Sequence, residues 1–137
     1  MSITYVCDAA IGCTFTRWDG EVTPDQWNEH VDRLSGDPAF PPGPRMLIDL
    51  RTASTELISS TVIEQVAARW QEVAATMPEL RAALVPSENR DKAEQFIELL
   101  RNASLRLGVF HQVSAACEWL DVDKVEAKIA LQALRAS

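Results

Sequence analysis

Residues 44–61 read PRMLIDLRTASTELISST, and the fold turns on this stretch. Met46 to Leu50 is apolar apart from Asp49 and shows no alternation, as expected of a strand covered on both faces. A polar linker, Arg51 to Glu56, leads to three hydroxyls, Ser59, Ser60 and Thr61, where a helix is expected to begin. Thr61-Val62-Ile63-Glu64 has the spacing of a capping box. Behind it Ile63, Val66, Trp70, Val73 and Met77 recur at intervals of three and four, which predicts an amphipathic helix of about four turns, stopped by Pro78. A buried strand feeding an amphipathic helix is half of a parallel βα unit, and it demands a neighbouring strand.

The flanking sequence supplies those neighbours. Arg81 to Val85 reads as a second buried strand closed by Pro86, and Leu105 to Phe110 as the last strand. Between them Asp91-Lys92-Ala93-Glu94 is read as the cap of a helix with Ala93, Phe96, Ile97, Leu100 and Ala103 on its apolar face. Val113 to Leu120 forms a short helix. Asp123 to Arg135 forms a terminal one, capped at Asp123, with Val122, Val125 and Ile129 on the side that needs cover. Upstream, Ile3 to Cys7 is a strand, and Asp8-Ala9-Ala10 a turn. Ile11, Cys13 and Phe15 alternate with small or polar residues in a half-buried strand running to about Trp18. Asp19-Gly20 ends or bends it. Thr23-Pro24-Asp25-Gln26 starts a helix that packs through Trp27, Val31 and Leu34 and closes at Gly36. Residues 37–44 hold four prolines and form a loop, with Phe40 tucked against the body. The order predicts one α/β domain over residues 1–137. An antiparallel hairpin opens a mixed sheet of about five strands, continued by parallel βα units and covered by helices.

Composition narrows the function classes. The chain has 137 residues, 47% apolar, and a formal charge of −7, with a pI near 4.8 and mean hydropathy of −0.08. An acidic field without a Lys/Arg cluster opposes nucleic-acid binding. No apolar run approaches the roughly 20 residues that span a bilayer. The first residues do not read as a signal peptide, so the expected location is cytoplasmic. Cys7, Cys13 and Cys117 are too few for a disulfide framework. Cys7 and Cys13 flank the hairpin turn and either face each other or serve as small core residues.

Catalytic signatures are missing. There is no Gly-rich phosphate loop, Gly-x-Ser-x-Gly elbow or His-Glu-x-x-His motif, and neither histidine has metal-site spacing with a cysteine. His111 is read as a loop residue past the last strand, and His30 as lying on the polar side of its helix beside Glu29 and Asp32. No enzyme activity and no cofactor are expected. The hydroxyl run has two readings: an ordinary cap at Thr61, or a phosphorylation or anion site at Ser59, Ser60 and Thr61 with Arg51 as the pairing cation. The four tryptophans, Trp18, Trp27, Trp70 and Trp119, read as core, with a pocket for an apolar ligand between sheet and helices as the alternative.

Several segments resemble the SpoIIAA-like, or STAS-like, bacterial proteins: Trp18-Asp19-Gly20-Glu21-Val22-Thr23, Asp37-Pro38-Ala39-Phe40, Leu47-Ile48-Asp49-Leu50-Arg51, Val109-Phe110 and Ala116-Cys117-Glu118-Trp119-Leu120. STAS names the domain shared by sulphate transporters and anti-sigma-factor antagonists. The resemblance runs from about Ile3 to Leu120 and implies the fold already read from the pattern. In the antagonists an Asp-Ser-Ser-Gly segment at the corresponding helix start is phosphorylated by a kinase. Here Leu57-Ile58-Ser59-Ser60-Thr61 keeps the serines without the Asp and the Gly. A second branch of SpoIIAA-like proteins has been likened to membrane-associating carriers of apolar molecules, and the layout is closer to that branch. The leading expectation is a non-enzymatic regulatory module acting through a protein partner or as a homodimer. The alternative is a carrier for an apolar small molecule, with membrane association.

Overall fold

In the computed structural model, which describes residues 2–77 and 79–135, the elements follow one another as β1 (Ile3–Asp8), β2 (Cys13–Glu21), α1 (Pro24–Ser35), β3 (Arg45–Ser54), α2 (Ser60–Ala75), β4 (Arg81–Val85), α3 (Arg90–Leu99), β5 (Arg106–Val109), α4 (Val113–Leu120) and α5 (Lys124–Arg135). The five strands lie side by side in sequence order. β1 and β2 are antiparallel, and every later pairing is parallel. The α/β class and the mixed sheet are as the sequence pattern predicts.

Each parallel step moves one strand further in the same direction, and right-handed crossovers repeated that way leave their helices on one face of the sheet. Side chains of α1, α2 and α3 accordingly share one core with Trp18, Met46, Leu50 and Leu84. α4 and α5 cover the other face, over Cys13, Phe15, Leu47, Ala83 and Val85. β3 is thus buried from both sides, with Met46 and Leu47 both under 2% exposed though they point to opposite faces.

Several local expectations shift. β2 is buried on both faces from Cys13 to Trp18 because α1 and α5 sandwich it. It does not stop at Asp19-Gly20 but slips register between Arg17 and Asp19, with Gly20 at φ +66°. Cys7 and Cys13 belong to opposite cores, so they do not face each other, and all three cysteines are free thiols. The α1 capping box forms as read. α2 is capped by Ser59, whose Oγ accepts from the Val62 amide at 3.3 Å. Thr61 therefore lies inside the first turn. The helix ends at Ala75, so Met77 is not on its stripe, while Pro78 lies outside the described residues. α3 follows Asn89 without a side-chain cap and stops at Leu99. Asp91 is simply its first-turn acid, and Ala103 lies beyond the helix.

α5 turns out a different face from the one expected. Asp123 Oδ1 accepts from the amides of Val125 and Glu126 at 2.8 and 3.0 Å, as a cap should. The buried stripe is Ala127, Leu131 and Leu134, whereas Val125 and Ile129 are 59% and 62% exposed. At about 100° per residue those two lie opposite Ala127. Fully buried Ala127 puts no bulk between the helix and the strands beneath.

Candidate functional site

The face under α1–α3 holds a cleft lined almost wholly by apolar side chains. Its floor includes Thr16, Ile48 and Leu84, cross-strand neighbours in one register row. Ile48, at the middle of the central strand, is only half-buried, so the helices do not seal the sheet beneath them. The walls include Trp27 and His30 from α1, Ile63 and Trp70 from α2, and Ala93 and Phe96 from α3, around a cavity of about 70 Å³ that is partly open to solvent. Trp18, Trp27 and Phe96 form a chain of ring contacts with centroids 5.4 and 5.6 Å apart. That chain ties β2 to α1 and α3.

Three of the four tryptophans therefore line one cavity: Trp18, Trp27 and Trp70. Trp119 does not. It packs on the opposite face against Phe110, centroids 5.3 Å apart, beneath the Arg81 guanidinium. Gly108 leaves room there, since a Cβ at that position would come within 2.8 Å of the Phe110 ring.

Polar groups in the cleft are few. His30 is 6% exposed and faces the core, which corrects its reading as lying on the polar side of its helix. The spacing contained the signal, because His30 follows Trp27 by three and precedes Leu34 by four. Burial, with a lesser contribution from the Arg33 charge, lowers its pKa to about 4, so the ring is neutral at neutral pH. Its edge meets the Tyr5 ring with centroids 5.5 Å apart. Tyr5 is held in turn by its hydroxyl, which donates to Asp37 Oδ2 at 2.7 Å. His30 Nδ1 and Thr16 Oγ1 are buried without a hydrogen-bond partner. Two further polar residues of the lining are tied to backbone. Asn89 Nδ2 donates to the carbonyls of Leu50 and Ala53 at 3.2 and 3.3 Å, and Lys92 Nζ donates to the Thr55 carbonyl.

The hydroxyl run lies at the start of α2, where Ser59, Ser60 and Thr61 are not buried. Ser60 Oγ lies 3.4 Å from Gln95 Oε1. Arg51 does not join them. Strand alternation sends it to the other face, where it holds buried Asp49 through two bonds of 2.9 and 3.0 Å. Arg17, paired with Asp49 in the β2–β3 register, binds Asp19 at 2.9 Å, so both arginines of this cluster carry a carboxylate partner. Replacing Ser59 by Ala is expected to cost about 1 kcal/mol in urea unfolding, while Thr61→Ala should be nearly neutral. A larger loss at Thr61 would contradict the observed cap.

His111 is exposed, its Nδ1 3.1 Å from Arg90 Nη1, on an arginine that also pairs with Glu94 at 2.9 Å. Among the described residues no cluster of three or more His, Cys, Asp or Glu side chains is gathered for a metal. No helix there is long and apolar enough to cross a membrane. Comparison with protein-family models, with curated proteins and with solved structures yields no match.

Proposed function

We propose that this chain is a STAS-like, non-catalytic binding protein that carries a small apolar molecule between its sheet and helices α1–α3. The observation that carries this reading is the apolar cleft reaching the half-buried Ile48 on the central strand. Ordinary cores close to crystal-like density over such a position, and a partly enclosed apolar cleft is the common form of a small-molecule site. The order of the elements, a hairpin followed by three parallel βα steps, supports the STAS-like part of the reading. Native mass spectrometry of the gently purified protein is expected to show an added mass that Trp70→Ala or Phe96→Ala removes. Protein that is empty from every growth condition would end the proposal.

A regulatory module that acts by contact with a second protein or a second copy is the other reading. It is supported by Val125 and Ile129, neighbours one turn apart on the outward side of α5 and mostly exposed.

A further inference from the structure

The polar atoms of the apolar cleft are not all satisfied. Thr16 Oγ1 and His30 Nδ1 are both buried and both without a partner, on residues that are 0% and 6% exposed. Both residues line the cleft, Thr16 on its floor and His30 on its wall. Tyr5 is the cross-strand partner of Thr16, and its ring meets His30 at 5.5 Å. Tyr5 thus links the two residues across β1, β2 and α1. Buried hydroxyls and imidazoles in folded proteins are satisfied as a rule, and an exception calls for a missing partner.

The chemistry of the two atoms narrows that partner. A threonine hydroxyl can donate or accept, and a neutral imidazole nitrogen is either a donor or an acceptor. A ligand hydroxyl can accept from Thr16 while donating to His30, or the reverse. A ketone or ether could only accept, and would leave one of the two unmet whenever Nδ1 is the acceptor. A carboxylate would bring a charge into an apolar space, where the Lys92 ammonium of the lining is already engaged by Thr55. From this geometry we infer that the ligand class is a neutral alcohol or phenol. Its hydroxyl bonds to Thr16 and His30, and its apolar body lies along Ile48 toward Trp70 and Phe96. This inference rests on the binding role proposed above and specifies its ligand.

Size sets a condition. An enclosed void of about 150 Å³ takes up benzene in another protein core, and the space here is about 70 Å³. A ring-sized ligand therefore has to extend into the open part of the cleft or displace the Trp27 and Phe96 side chains.

The test is calorimetric titration of the full chain with phenol and with benzene, which differ by the hydroxyl. Phenol is expected to bind roughly tenfold more tightly, the size of effect that satisfying buried polar atoms produces. Thr16→Val, nearly equal in shape, and His30→Leu should each bring the ratio of phenol to benzene affinity down toward one, whatever each does to benzene binding itself. Thermal unfolding of both variants checks that they are folded, and Thr16→Val alone suffices if His30→Leu is not. Equal affinities for the two probes in the parent protein would overturn the hydroxyl inference and leave the apolar-binding role intact, as would happen if a trapped water already serves both atoms. Failure of both probes to bind at millimolar concentration would overturn the binding role for ligands of this size.

Discussion

Replacing Arg45 by Met should destabilise the protein by about 3 kcal/mol, a fall in unfolding temperature of roughly 10 °C for a domain of this size. Arg45 opens β3, and its guanidinium serves two distant parts of the chain at once. Nη2 donates to the Ile11 carbonyl at 2.7 Å and Nε to the Gly12 carbonyl at 3.2 Å, both in the β1–β2 turn. Nη1 donates to the carbonyls of Leu120 and Asp121 at 3.2 and 2.6 Å, where α4 ends with Asp121 in the left-handed region at φ +59°. A helix C-terminus exposes unpaired carbonyls and carries partial negative charge, so a cation there satisfies both. Methionine keeps the aliphatic stem and removes the donors, leaving four carbonyls to be served by water where water can reach. Lysine carries the charge without the planar fork, and it should recover less than half of the loss. Urea unfolding of the parent, Arg45→Met and Arg45→Lys proteins decides the matter. A cost below about 1 kcal/mol for Met would mean that water replaces the guanidinium almost fully.

The second large effect is a dependence of stability on pH that resides in His30. Its folded pKa is about 4, against about 6.5 in an unfolded chain. Between those values the unfolded state binds a proton that the folded state does not, so stability falls as pH drops from about 6.5 toward 4. Integrated over that interval, the group accounts for about 3 kcal/mol of stability lost on acidification. The cause is that the buried ring cannot be charged cheaply between the Tyr5 ring and the core, with Arg33 adding like charge. Carboxylates titrate over the lower part of the same range, so the measurement is a difference. Urea unfolding of the parent and of His30→Leu at pH 7.5 and pH 4.5 should show the variant losing less on acidification, by about that amount. Identical losses would mean that His30 is not the group responsible.

Both effects arise at residues whose importance is tertiary. In the sequence Arg45 is simply the cation that precedes an apolar strand, and nothing local indicates that its guanidinium meets carbonyls as distant as Gly12 and Asp121. His30 was legible in part. Its spacing from Trp27 and Leu34 puts it on the packing face of α1, and its polarity argues the other way. Position decides against polarity here because the residue lies over Tyr5, which gives the ring an aromatic surface to pack on. The capping error at α2 has a similar origin. Ser59, Ser60 and Thr61 are all competent caps, and a one-dimensional pattern favours the residue three before Glu64. In the structure the chain turns two residues earlier, after Ile58, whose buried side chain pins the entry to the helix.

What the sequence alone determined is the alternation of elements, and with it the class. The strands at 46–50 and 81–85 are mostly apolar without alternation, the intervening helices show their 3.6-residue period, and both signals come from which side chains must leave water. What only the tertiary structure decided is which faces meet. Repeated crossovers in one direction gather α1, α2 and α3 on a single side, and that brings Trp18, Trp27 and Trp70 around one cleft while Trp119 goes to the other. The same packing turns Val125 and Ile129 outward on α5 and leaves Thr16 Oγ1 and His30 Nδ1 buried without hydrogen-bond partners. Periodicity reports that a residue is covered, but the identity of its cover depends on how residues far apart in the chain are brought together.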